Sequence, residues 1–197
     1  MIKLYNADCL EAMRLMDDNS FELAIVDPPY GIGISSNPVR QKHKKKSWDN
    51  AIPVPEYFTE LQRVSKNQII WGGNYFDLKP SQCFLIWDKK QPENFSLAMC
   101  EMAWTSFSSP AKIFKRSVHA DQNKIHPTQK PVTLYTWLLE KYAKKGDTIL
   151  DTHLGSGSIA IAAHNLGYDL TGYELDKDYY QAATQRLENH QKQLRLF

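Results

Sequence analysis

Short apolar runs alternate with amphipathic stretches along the whole chain. Ile2-Lys3-Leu4-Tyr5 reads as a strand, and Asn6-Ala7-Asp8 turns into a helix over Cys9–Met16, with apolar positions at Leu10, Met13 and Leu15. Asp17-Asp18-Asn19-Ser20 breaks that helix, and Glu22–Val26 follows as a buried strand. Further strands are predicted at Asn67–Trp71, Cys83–Trp87, Glu101–Ser106, Lys112–Lys115, Thr148–Leu150 and Asp169–Glu174. Helices are predicted at Glu56–Val64, near Glu93–Met99, from Pro131 to Tyr142, at Ile159–Leu166 and from Asp176 to about Leu194. Ser108-Ser109-Pro110 is read as the turn joining the strands on either side of it. Strands and helices in alternation predict an α/β fold with a mainly parallel, doubly wound sheet. The 197 residues fit a single domain, 1–197, with no internal repeat.

Two interruptions of this pattern carry chemistry. The first is Asp27-Pro28-Pro29-Tyr30, directly after the Glu22–Val26 strand and before Gly31 and Gly33. In parallel α/β sheets the carboxyl ends of the strands are where ligands bind. The prolines lack N–H donors and have fixed φ, so this turn offers rigid carbonyls beside a carboxylate and an aromatic ring. Asp27 and the Pro28 carbonyl can each accept one hydrogen of an amino group, and Tyr30 can stack on the ring that bears it.

The second is Asp151-Thr152-His153-Leu154-Gly155-Ser156-Gly157-Ser158, between a strand and a helix. Its glycines allow close approach of a ligand, and a helix N-terminus favours an anion. Glu174 ends the next strand, where a carboxylate can accept two ribose hydroxyls. Gly155 to Ala160 also fits G-x-G-x-x-A, which keeps a NAD-binding oxidoreductase in view as a weak alternative.

These residues together resemble the amino-methyltransferases of DNA that use S-adenosylmethionine. Asp27-Pro28-Pro29-Tyr30 resembles their catalytic motif, especially in adenine-N6 enzymes, and Asp151 to Gly157 resembles their cofactor motif. His126-Pro127-Thr128-Gln129-Lys130-Pro131 resembles the segment that precedes the cofactor motif, and Asn6-Ala7-Asp8-Cys9-Leu10 their N-terminal strand end. The motif order is that of the circularly permuted beta group. The resemblance implies a Rossmann-like methyltransferase fold and S-adenosylmethionine as cofactor. It implies Asp27, Pro28, Pro29 and Tyr30 as catalytic residues. It implies cofactor contacts from Asp8, Thr128, Lys130, Asp151, His153, Gly155, Ser156, Gly157, Ser158 and Glu174. In such a site the loop's anion is the methionine carboxylate, and Asp8 accepts from the cofactor's adenine. Thr152-His153 departs from the Pro-Phe usual in the family.

The expected reaction is methyl transfer to the N6 amine of a flipped adenine in DNA. Cytosine-N4 transfer is the alternative, although related enzymes more often carry Ser at the position of Asp27. A catalytically silent DNA-binding relative is a second, and the intact Asp27 and glycines argue against it. Cytosine-C5 chemistry needs a cysteine nucleophile, which in that family follows a proline, and Cys9, Cys83 and Cys100 follow other residues.

Charge agrees with a polyanion partner. Net charge is only +2, yet Arg40, Lys42, Lys44, Lys45 and Lys46 crowd one stretch, and Lys112, Lys115, Arg116, Lys124 and Lys130 another. The rest of the chain is therefore net acidic. The long polar stretch 31–53, with Arg40 to Lys46 and Trp48, is expected to face DNA as a mobile loop. Residues 91–125 are expected to form a small insert that reads the target sequence. Being so short, it reads a short site or is helped by a second subunit, as in a homodimer. No metal site is expected, since the cysteines are isolated and the histidines scattered. A mean hydropathy of −0.51, no apolar run of membrane length and no leader-like N-terminus predict a cytoplasmic protein away from membranes.

Overall fold

The computed structural model describes residues 1–36, 46–94, 97–120 and 124–193. Eight strands form one sheet: β1 (Ile2–Tyr5), β2 (Phe21–Val26), β3 (Ser65–Trp71), β4 (Phe84–Asp88), β5 (Cys100–Thr105), β6 (Lys112–Lys115), β7 (Thr148–Asp151) and β8 (Asp169–Tyr173). Their spatial order is β1-β8-β7-β2-β3-β5-β4-β6. Only the β5 pairings, to β3 and β4, are antiparallel. The helices are α1 (Cys9–Arg14), α2 (Pro55–Val64), α3 (Val132–Tyr142), α4 (Ser158–Leu166) and α5 (Lys177–Lys192).

The period of two in β2 explains its unbroken apolar run. Leu23 and Ile25 face one core with α3, α4 and α5, where Leu134, Leu138 and Ile159 pack. Ala24 and Val26 face a second core with α1 and α2, where Met13, Tyr57 and Leu61 pack. Covered on both faces, the strand buries Leu23 to Val26 in succession, each large side chain contributing roughly 1.5–3 kcal/mol.

Three expectations differ from the structure. No helix forms at 93–94 or 97–99, because β4 and β5 are adjacent and antiparallel, with Asp88 opposite Cys100, and this stretch joins them. Ser108-Ser109-Pro110 does not close a hairpin, because β6 pairs in parallel with β4, Ile86 opposite Ile113. Pro131 is the N-cap of α3 rather than its first helical residue. The stretch 91–125 supplies β5 and β6, so the anticipated insert is in part an edge of the main sheet.

β2 lies directly beside β7, with Ala24 opposite Leu150. From β2 the chain crosses by α2 to β3 on one side, and from β7 by α4 to β8 on the other. The winding therefore reverses between these two strands. That reversal opens a crevice at their carboxyl ends, where Asp27 and Asp151 emerge.

Candidate active site

Two cavities meet at the Asp27 turn. The first, about 730 Å³, is lined by Asp8, Tyr57, His153, Gly155, Ser156 and Glu174, among others. The second, about 540 Å³, is lined by Tyr30, Tyr75, Lys89, Glu101 and Lys130, among others. Asp27, Pro29, Trp48, Thr128 and Gln129 line both and so form the wall between them.

Backbone N–H groups hold the carboxylates around the first cavity. Asp8 caps α1 through Oδ1, which accepts from the backbone of Leu10 at 2.8 Å and Glu11 at 3.3 Å. Glu174 accepts from Gly155 N at 2.8 Å on Oε2 and from Asp176 N at 2.9 Å on Oε1. Burial raises the Glu174 carboxyl above its ordinary range. Tyr57, Thr152 and His153 form a chain beside it, Tyr57 Oη to Thr152 Oγ1 at 2.6 Å and Thr152 Oγ1 to His153 Nδ1 at 2.9 Å. Burial brings the His153 imidazole down to about 4, so the ring is neutral at pH 7 and offers an aromatic wall.

Four of the anticipated cofactor residues lie elsewhere. Asp151 is buried beneath the loop, where its Oδ1 accepts from His153 N at 3.0 Å. Burial pushes its carboxyl up to about 8. Gly157 caps α4 at φ +70°, and a Cβ there would sit 3.1 Å from Ala183. Ser158 turns inward to Ser156 Oγ at 3.1 Å and to Arg186 Nη1 at 2.9 Å. Lys130 does not face the first cavity. Its Nζ donates to Asp27 Oδ2 at 2.5 Å and lies 2.9 Å from Glu101 Oε2, inside the second. Thr128, which binds the His126 ring, touches both.

The second cavity is held by side chains. Tyr30 Oη donates to Asp27 Oδ1 at 2.7 Å. The Tyr30 ring stacks on Tyr75 at 5.0 Å and meets Phe76 edge-on. It can do so because residue 72 is glycine, with φ +72°: a Cβ there would lie 2.2 Å from the ring. Burial lifts the Asp27 carboxyl, against the pull of Lys130. Glu101 lies between two ammoniums, Lys130 and Lys89; they outweigh its burial and bring it down to about 2. Among the described residues no donor reaches the Pro28 carbonyl.

The basic loop divides. Arg40, Lys42, Lys44 and Lys45 lie outside the described residues. Lys46, expected on DNA, instead binds Asp176 at 2.5 Å and Asp178 at 2.9 Å at the start of α5, over the rim of the first cavity. Trp48 packs on the His126 ring at 5.2 Å. Next to Trp48 in the chain is Asp49, a residue whose part the sequence did not reveal. Its carboxylate accepts from Tyr30 N at 2.8 Å, Gly31 N at 3.0 Å and Ile34 N at 2.8 Å, and it is 1% exposed. Glu101 was missed too, although a carboxylate inside the apolar run Cys100–Thr105 was a signal.

A family model described as DNA methylase, of the N6/N4 group, matches residues 70–185. The chain belongs to this family of DNA amino-methyltransferases. The particular relatives are distant. YubD of Escherichia coli (strain K12) is 25% identical over 211 residues, covering 95% of this chain and 90% of its own. The M1.HpyAVI–SAM complex superposes with a TM-score of 0.65 at 21% identity, covering 95% of this chain and all of that one. The cytosine-N4-specific PvuII DNA methyltransferase also reaches a TM-score of 0.65, at 12% identity, with 96% and 90% covered. These structures share the fold, an α/β layer with a mostly parallel sheet. Membership of a methylase family displaces the hydride-transfer reading of Gly155 to Ala160. No helix among the described residues is long and apolar enough to cross a membrane.

Proposed function

We propose that the protein methylates the N6 amine of adenine in DNA, with S-adenosylmethionine in the first cavity and the flipped base in the second. The observation that carries this reading is that Asp27 and Pro29 line both cavities. A donor on one side and an amine on the other then meet at the catalytic turn.

The first cavity fits the cofactor. Each Glu174 oxygen accepts one backbone N–H and keeps a lone pair for a ribose hydroxyl. Asp8 has its second oxygen for the adenine amine. Tyr57 and the neutral His153 bound the adenine position, and Ser156 at the start of α4 suits the carboxylate. When bound, S-adenosylmethionine supplies a methyl group already activated on a sulfonium.

The protein's task is then mainly positioning. An exocyclic amine is a weak nucleophile because its lone pair is delocalised into the ring. Asp27 spends one lone pair of Oδ1 on Tyr30 and one of Oδ2 on Lys130. The remaining pairs, with the Pro28 carbonyl, accept the two amine hydrogens and favour a tetrahedral nitrogen. Tyr30, backed by Tyr75, offers the aromatic contact for the base. A base inside a duplex reaches this wall only by flipping, at a cost of a few kcal/mol. Arg40, Lys42, Lys44 and Lys45 are assigned to phosphates beside the target, and the stretch 91–125 to sequence preference.

Expression in a host without adenine methylation, followed by base-resolved detection in genomic DNA, tests the reading. N6-methyladenine at a defined site is expected. N4-methylcytosine as sole product would overturn the base assignment, and no product with intact DNA binding would return the silent relative.

A further inference from the structure

Behind Asp27 runs a row of four alternating charges drawn from four parts of the chain, with both lysines buried and both carboxylates partly so. Asp27 follows β2, Lys130 precedes α3, Glu101 lies on β5 and Lys89 follows β4. Lys130 Nζ donates to Asp27 Oδ2 at 2.5 Å and Tyr30 Oη at 3.3 Å, and forms an ion pair with Glu101 Oε2 at 2.9 Å. The Trp71 ring lies 5.3 Å from the same nitrogen. Glu101 is fixed in turn by Lys89, whose Nζ lies 2.6 Å from Oε1. The Lys130 side chain is 2% exposed, so water does not stabilise its charge and its partners must.

We propose that Glu101 is a positioning residue for methyl transfer: it anchors Lys130, and through Lys130 it sets the orientation of the Asp27 carboxylate at the wall between the cavities. The inference rests on the reading of Asp27 as the acceptor of the amine. Lys130 touches Asp27 by one oxygen only. Without a second anion its ammonium is free to swing across Asp27 and compete for the lone pairs meant for the amine. Glu101 holds it on the far side, and Lys89 holds Glu101. The role lies on β5, within the stretch 91–125, so that stretch reaches the chemistry through the sheet.

Charge gives a second readout. The groups facing Asp27 are Tyr30, Lys130, Glu101 on β5, Tyr135 on α3, Tyr57 on α2 and Asp151 at the end of β7. The negative charge of Glu101 raises the Asp27 carboxyl. Glu101→Gln removes that charge and leaves Lys130 to Asp27 alone, so the Asp27 carboxyl falls. The acid limb of the kcat profile then moves to lower pH.

The test uses the full chain, a DNA substrate containing the methylated site, and S-adenosylmethionine, with Asp27→Ala measured alongside. For Glu101→Gln the expected result is a kcat lower by about 10- to 100-fold. Cofactor affinity and KM for DNA should stay within a factor of about two, with the acid limb displaced downward in pH. Glu101→Asp, which keeps the charge, should retain the wild-type limb. A folded Glu101→Gln with wild-type kcat, beside an inactive Asp27→Ala, overturns this inference and leaves the reading of Asp27 standing. A fully active Asp27→Ala overturns both. Should Glu101→Gln fail to fold, Lys89→Gln decides: a lower kcat at unchanged cofactor affinity supports the inference, and wild-type kcat overturns it.

Discussion

The two cavities that share Asp27 are walled in different ways. In the cavity proposed for the cofactor, Asp8 and Glu174 are held by backbone N–H groups, Asp8 by the first turn of α1 and Glu174 by Gly155 and Asp176. Their positions follow from the path of the main chain. In the cavity proposed for the base, Asp27 and Glu101 are held by the side chains of Tyr30, Lys130 and Lys89. Their positions follow from partners brought together by sheet order. The first design fixes a site for one invariant small molecule. The second leaves the site dependent on β4, β5 and the segment before α3, the parts between the catalytic and cofactor motifs. A difference in kind should therefore appear when each wall is damaged.

Damage to the base side should be the most severe. Lys130→Met leaves the partly buried Asp27 and Glu101 without their shared cation, and should cost about 3–5 kcal/mol of stability in urea unfolding. A loss under about 1 kcal/mol would mean that water reaches the row, and would erase the contrast between the walls.

The cofactor side carries the pH signal. His153 is buried and neutral, with its imidazole at about 4 against an ordinary 6.5. A base whose folded value is depressed stabilises the fold above the unfolded value, and that stability is lost as pH falls through the folded one. Between pH 7 and pH 4 the wild type should lose about 3 kcal/mol that His153→Phe does not lose. Asp151, raised to about 8, works in the opposite direction in both proteins, so the difference between them isolates His153. Equal slopes would place His153 in water.

Glu174→Ala should act on ligand binding more than on the fold. Loss of two ribose contacts should weaken S-adenosylmethionine by about 2 kcal/mol, roughly 30-fold, in calorimetry. DNA binding should be unaffected.

The smallest effect belongs to Lys46. Its pairing with Asp176 and Asp178 assigns it to the cofactor rim, so Lys46→Ala should weaken the cofactor by about 1 kcal/mol or less. It should leave the salt dependence of DNA binding unchanged. Replacing Lys44 and Lys45 should instead flatten the log–log salt slope by about 2 units, if each meets one phosphate. A slope changed by Lys46→Ala would return that residue to the DNA.

What could be read in advance follows the same division. Asp27-Pro28-Pro29-Tyr30, Gly155 and Glu174 were legible because each sits at a strand end, and strand ends are visible as local pattern. Asp49 was not legible, because its meaning depends on a chain that returns to Tyr30, Gly31 and Ile34. Lys130 lay in a recognisable segment, yet its partner is 103 residues away and its cavity could not be inferred from its neighbours. Glu101 and Lys89 meet only because β4 and β5 are adjacent, with Trp87 opposite Glu101. The same pairing removed the expected helix at 93–99. Pattern gave the order of elements along the chain, but not which lysine faces which carboxylate across the sheet.

The central claim is that Asp27 grips the substrate amine rather than the cofactor. The direct measurement is Asp27→Ala assayed twice on one preparation, for S-adenosylmethionine affinity by calorimetry and for methyl groups in DNA by mass spectrometry of the digested product. The account predicts cofactor affinity within about threefold of wild type, under 1 kcal/mol, and no detectable N6-methyladenine. Methyl transfer at the wild-type rate by Asp27→Ala would contradict it.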